Sequence, residues 1–166
     1  MLRLINIALI FIVATMCYWL GLIVFSPLGL TVNIMLAFSI IIAVMLPQRY
    51  GYTFAFFSGL FLDFLGTNVF GTEALAFTLL MMLFYKVKDA IDFKEIVPQI
   101  FITALLNLAL VILFGLLAKI FSGAFAWQGW KDLFFGSMLV GIIMPVLYRI
   151  TDKFFVFDVL KKVNED

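Results

Sequence analysis

The sequence predicts an all-α integral membrane protein with six transmembrane helices and both termini in the cytoplasm. Three observations carry this reading. Of the 166 residues, 66% are hydrophobic and only 13% are charged, with a mean hydropathy of +1.21. A soluble domain is roughly half apolar and about a quarter charged, so this chain needs the bilayer as its solvent. Apolar windows approaching the ~20 residues of a membrane span recur six times. Lys and Arg collect on one side of the topology those windows define.

The first window covers residues 4–25 and ends at "SPLG" (26–29). It is longer than the roughly 7–15 apolar residues of a signal peptide and no A-x-A site follows, so removal is not expected. Cys17, the one cysteine, sits within this window and reads as a small apolar filler. Met16 stands before it where lipoprotein cleavage would want a small residue. The second window, 31–46, is separated from the third, 51–66, by "PQRYG" (47–51). "GTN" (66–68) leads to the fourth, 70–85. At about 16 residues each, the third and fourth windows reach only roughly 24 Å, which allows a helical hairpin that stops short of the far interface. "KVKDAIDFKE" (86–95) is the charged connection, and Pro98 suits the first turn of the fifth helix, 97–121. "SGAFAWQGWKD" (122–132) then brings Trp127 and Trp130 as interface anchors before the sixth window, 132–150.

Nine of the eleven basic residues fall on one side: Arg3, Arg49, Lys86, Lys88, Lys94, Arg149, Lys153, Lys161 and Lys162. Lys119 and Lys131 fall on the other. The positive-inside rule puts the richer side in the cytoplasm, and an even number of spans agrees. The turn between Asp63 and Glu73 then faces outward. With no internal repeat and no loop long enough to fold alone, residues 1–166 form a single membrane domain.

Gly51, Ala55, Gly59 and Asp63 recur every four residues along the third window, and Gly66 extends the row. In a helix they share one slowly drifting face, a smooth groove that lets another helix approach closely. Asp63 ends the row near the C-terminus of its helix, where the macrodipole disfavours an anion. It also lies close to hydrocarbon, where a charge costs roughly 2.5–3.5 kcal/mol at the bilayer centre. Something must therefore pair with it, hydrate it or keep it protonated, and Asn33, at the outer end of the second window, is a candidate partner at matching depth. Glu73 falls in the first turn of the fourth helix, where the dipole favours an acid. The two acids do not form a catalytic dyad, because no third polar group supports one.

Gln99, Thr103 and Asn107 form a polar stripe that must face protein or a cavity. Lys119 can snorkel, and Pro145, four residues after Gly141, is expected to kink the last helix. With no histidine and one cysteine, zinc, haem and His-dependent nucleophilic chemistry lack ligands and bases. No catalytic residue, metal or cofactor is expected. A net charge of +1 gives no pull towards nucleic acid.

Asn33 opens the second helix after Val32, and Pro47 and Arg49 follow with Gln48 between them. Gly59 and Asp63 come next, and then Gly71, Ala74 and Leu75. With this ordered set, residues 32–83 resemble the bacterial rod-shape-determining protein MreD family. The family pattern is Pro-Asn opening a helix, a Pro followed by a basic residue, G-h-x-x-D with h apolar, and G-x-x-A-L about eight residues later. Val32 stands here in place of the first proline. The resemblance is close over about a third of the chain. It implies a non-enzymatic, multi-pass subunit of the bacterial cytoplasmic membrane that supports peptidoglycan synthesis and cell shape. Its implied partners are the membrane protein MreC, the glycosyltransferase RodA with its transpeptidase, and MreB filaments indirectly. It also implies a looser likeness in fold to the substrate-binding subunits of energy-coupling-factor vitamin transporters.

Two functions follow as expectations. In the first, the small-residue groove and outer turn of a scaffold bind the transmembrane or juxtamembrane segment of MreC. In the second, Asp63, Asn33 and the Gln99/Thr103/Asn107 stripe line a pocket in a small-molecule-binding transporter subunit. Ion conduction through Asp63 would need a second intramembrane carboxylate, which only Glu73 offers.

Overall fold

A computed structural model of the chain describes residues 2–66, 69–93, 95–126 and 129–153. Among these it is helical throughout, in six helices and without strands. They are α1 (Leu2–Phe25), α2 (Ile34–Met45), α3 (Gln48–Leu65), α4 (Thr72–Val87), α5 (Ile96–Ser122) and α6 (Ser137–Thr151). A π-helical turn, Asp132–Gly136, leads into α6. Each helix overlaps one predicted window, most ends agreeing within two residues, and one boundary is corrected. "PQRYG" is not a loop, because α3 starts at Gln48 directly after Pro47. Only Pro47, with no N–H to give, breaks the chain there; Gln48, Arg49 and Tyr50 tolerate a helix and enter it.

The architecture is organised around α2. From Ile34 to Ala43 every residue is buried, and α2 touches α1, α3, α4, α5 and α6. A helix that is apolar all round has no polar face to show to water and becomes the centre of its fold. At 12 residues it is only about 18 Å long. α3 and α4 form one closely packed antiparallel pair on its flank, and α5 and α6 form another. Buried Phe54, Phe77, Phe84, Met81 and Met144 fill the space between them. Ring edges meet faces, as between Phe11 and Phe54 with centroids 5.7 Å apart.

Three helical stretches, Ile7–Leu28, Ile96–Ser122 and Asp132–Thr151, are long and apolar enough to cross a membrane. Large apolar side chains point outward along them, among them Met16, Leu20 and Ile23 on α1 and Phe101, Leu105 and Ile120 on α5. Such a belt fits hydrocarbon and not water. α2, α3 and α4 are shorter, at 12, 18 and 16 residues. α6 runs through Pro145 without interruption. Gly141 lies where a methyl group would come within 2.6 Å of the Ile100 carbonyl, so α5 and α6 pack closely at that level. Trp127, Lys94 and the tail with Lys161 and Lys162, all used in the sequence reading, lie outside the described residues. Trp130 is exposed and stacks on Phe134 at 6.1 Å.

Candidate functional site

The small-residue row and both acids converge on one joint between α3 and α4. α4 begins after Gly71, which holds a left-handed φ of 94° and contributes no side-chain cap. Thr72 donates its N–H to the Val69 carbonyl, but the Glu73 and Ala74 N–H groups have no backbone partner among the described residues, and in these apolar surroundings an unpaired donor is costly. Asp63 satisfies both. Its Oδ1 accepts from the Glu73 N–H at 2.9 Å and its Oδ2 from the Ala74 N–H at 3.0 Å. The carboxylate is only 6% exposed. Both bonds are charge-assisted, and the anion sits on the positive end of α4. That arrangement offsets its unfavourable place at the end of α3.

This corrects the expected pairing with Asn33. No hydrogen bond joins the two among the described residues; instead Asn33 caps its own helix, accepting from the Leu36 N–H at 3.2 Å. The two residues serve two different helix starts.

Gly59, one turn before Asp63, sets the distance at which this capping works. A methyl group there would lie 2.5 Å from the Ala74 Cα and 2.6 Å from the Glu73 carbonyl oxygen. Both are backbone atoms that cannot swing aside. Further down, Gly51 faces the Tyr85 hydroxyl of α4 and the Ala43 Cα of α2. Ala55 between them is fully buried. The groove predicted for a partner helix is therefore filled by the chain's own α4 and α2, which is the reason for its small residues. Gly66 lies outside the packed part of the row, exposed just after α3.

The N–H of Glu73 is held by Asp63, and the residue also lines a separate, partly open cavity of about 140 Å³ bordered by α1, the segment before α2, the end of α3, α5 and the π-helical turn before α6. Asn33, Asn107 and Asp132 line the same cavity. Asp132 is anchored there by its Oδ1, which accepts from the Thr31 N–H at 2.9 Å. Asn107, 3% exposed, donates from Nδ2 to the Ser137 Oγ at 3.0 Å. Ser137 in turn donates to the Leu133 carbonyl. The Asn107 Oδ1 has no hydrogen-bond partner.

The pocket expected from Asp63, Asn33, Gln99, Thr103 and Asn107 is thus only partly assembled. Asn33 and Asn107 line the cavity, whereas Asp63, Gln99 and Thr103 do not. Gln99 instead donates from Nε2 to the Phe93 carbonyl, tying α5 to the preceding loop. Sequence reasoning missed Asp132 as a lining group. Its position four residues before Gly136, in the segment leading into α6, carried no periodic signal.

The chain matches no protein-family model, no curated protein and no solved structure.

Proposed function

We propose that the chain is a non-enzymatic membrane scaffold of the bacterial cell-elongation complex, a protein of the MreD kind that binds MreC and supports peptidoglycan synthesis. In this reading all six helices lie in the cytoplasmic membrane with both termini in the cytoplasm. RodA and its transpeptidase are neighbours in the same assembly, and MreB is linked to it indirectly. The observation that carries the reading is the convergence of four of the residues behind the resemblance. Gly59, Asp63, Gly71 and Ala74 are scattered over sixteen positions, yet they meet in one joint. A motif whose members build a rigid corner, and hold no reacting group, suits a protein that works by shape. Since α4 fills the groove, MreC lies against an outward face of the bundle.

Co-expression of the tagged chain with MreC tests this. The expected result is a detergent-stable complex of fixed stoichiometry that survives size exclusion. Photo-crosslinkers on the outward faces of α1, α3 and α5 then locate the contact. Purification of the chain free of MreC, with no crosslink from any outward face, overturns the reading.

The cavity favours a second reading, a small-molecule-binding subunit of the vitamin-transporter type. Its polar lining at Asn33, Glu73, Asn107 and Asp132 is more than packing requires. Saturable binding of a vitamin-like compound by the isolated chain would favour it over the scaffold.

A further inference from the structure

We propose that the cavity bordered by Glu73, Asn107 and Asp132 is a binding site for a primary alkylammonium group. Two carboxylates line it, and no Lys or Arg does. Acids facing one cavity in an apolar bundle take up a proton or a counter-cation, because uncompensated charge there is expensive. Asp132 has one oxygen engaged by the Thr31 N–H and its other oxygen available. The Asn107 Oδ1 is buried without a donor, and the Asn107 Nδ2–Ser137 bond fixes which end of the amide is left over. A buried acceptor with no donor is a deficit that a ligand's N–H can fill.

The lining therefore offers two carboxylate acceptors, Glu73 and the second Asp132 oxygen, and Asn107 brings a buried amide oxygen that lacks a donor. A primary ammonium presents three N–H donors and no acceptor. Apart from Thr31 and Asn33, the remaining wall is largely apolar, with Leu22, Val111 and Phe114, and the rings of Tyr18 and Phe114 border it. Apolar contact suits an alkyl chain, and an aromatic face suits a cation. The volume of about 140 Å³ is close to that of an engineered cavity of ~150 Å³ that takes benzene. A hard divalent metal fits less well. It wants six or more oxygens, and no group of three His, Cys, Asp or Glu side chains able to hold a metal is found among the described residues.

Two sources carry this chemistry, a free aliphatic amine and the headgroup of an ethanolamine phospholipid. The inference rests on the cavity alone and stands with either reading of the function; its failure leaves co-purification with MreC unaffected.

The test uses the full chain in detergent. Calorimetry measures binding of n-butylammonium against n-butanol, a neutral molecule of the same shape. Native mass spectrometry, after release from bilayers, measures retention of phosphatidylethanolamine against phosphatidylcholine, whose headgroup has no N–H. The expected result is at least a tenfold preference for the N–H cation in one of the two comparisons. Glu73→Gln and Asp132→Asn are each expected to weaken that binding at least tenfold. Asp132→Asn keeps an acceptor for the Thr31 N–H, so the loop stays anchored. Val111→Phe fills the cavity from a different wall and is expected to abolish binding. Saturation by n-butylammonium assigns the free amine, and retention of phosphatidylethanolamine alone assigns the lipid. The proposal is overturned if neither comparison shows the preference, or if binding persists unchanged in all three variants.

Discussion

The carboxylate of Asp63 grips the backbone of Ala74, accepting its N–H at 3.0 Å, while Gly59 one turn earlier leaves room for the Ala74 Cα. One residue supplies the bond and the other permits the approach. Both are needed at a joint where α4 enters with only a glycine in front of it.

Gly59 is expected to be intolerant of any side chain. An added methyl group meets backbone on α4 and not a side chain that can turn away. Overpacking of this kind typically costs about 1–3 kcal/mol. Denaturant or thermal unfolding in detergent should therefore show Gly59→Ala destabilised within that range, and Gly59→Leu failing to accumulate as folded protein. A Gly59→Leu variant as stable as the parent would mean that α3 and α4 do not meet here.

Gly71 and Gly66 bracket the same turn and should respond differently. Gly71 has φ +94°, whereas Gly66 has φ −82° and is exposed. A Cβ in the left-handed region costs roughly 1–2 kcal/mol. Gly71→Ala is expected to lower stability by about that much, and Gly66→Ala by less than ~0.5 kcal/mol, the usual range for a surface change. Equal losses at the two positions would contradict the backbone conformation described for Gly71.

Six apolar windows separated by breakers made the helices legible, because hydropathy and helix punctuation are local properties. The start of α3 was misplaced because one proline was read as a whole loop. The Asp63 partner was harder to see. It is backbone, ten residues away across a turn, and backbone donors leave no mark in a sequence. A signal was present all the same. α4 begins after glycine, with no Ser, Thr, Asp or Asn in the capping position. A helix start without its own cap in apolar surroundings must borrow one, and Asp63 is the nearest acid across the turn. Asn33 was legible for the opposite reason. It directly precedes an apolar run, the ordinary place of a capping residue, and pairing it with Asp63 overlooked that. The cavity was not legible, because Glu73, Asn107 and Asp132 come from three separate segments that only the fold brings together.

Asn33→Ala removes the side-chain cap of α2 and is expected to cost about 1 kcal/mol, whereas Asn33→Asp keeps the acceptor and should be near neutral. The comparison also separates capping from any role beside Asp63. In a double-mutant cycle, Asn33→Ala and Asp63→Ala should add within about 0.5 kcal/mol, as expected for residues that share no bond. A larger coupling would restore the direct pairing.

Asp63 serves as the missing cap of α4. Amide hydrogen exchange, resolved at single residues, checks this in the parent chain and in Asp63→Ala. The Glu73 and Ala74 amides should be protected in the parent and lose that protection selectively in the variant, while amides in the middle of α2 stay protected. Unchanged protection at Glu73 and Ala74 after removal of the carboxylate would contradict it.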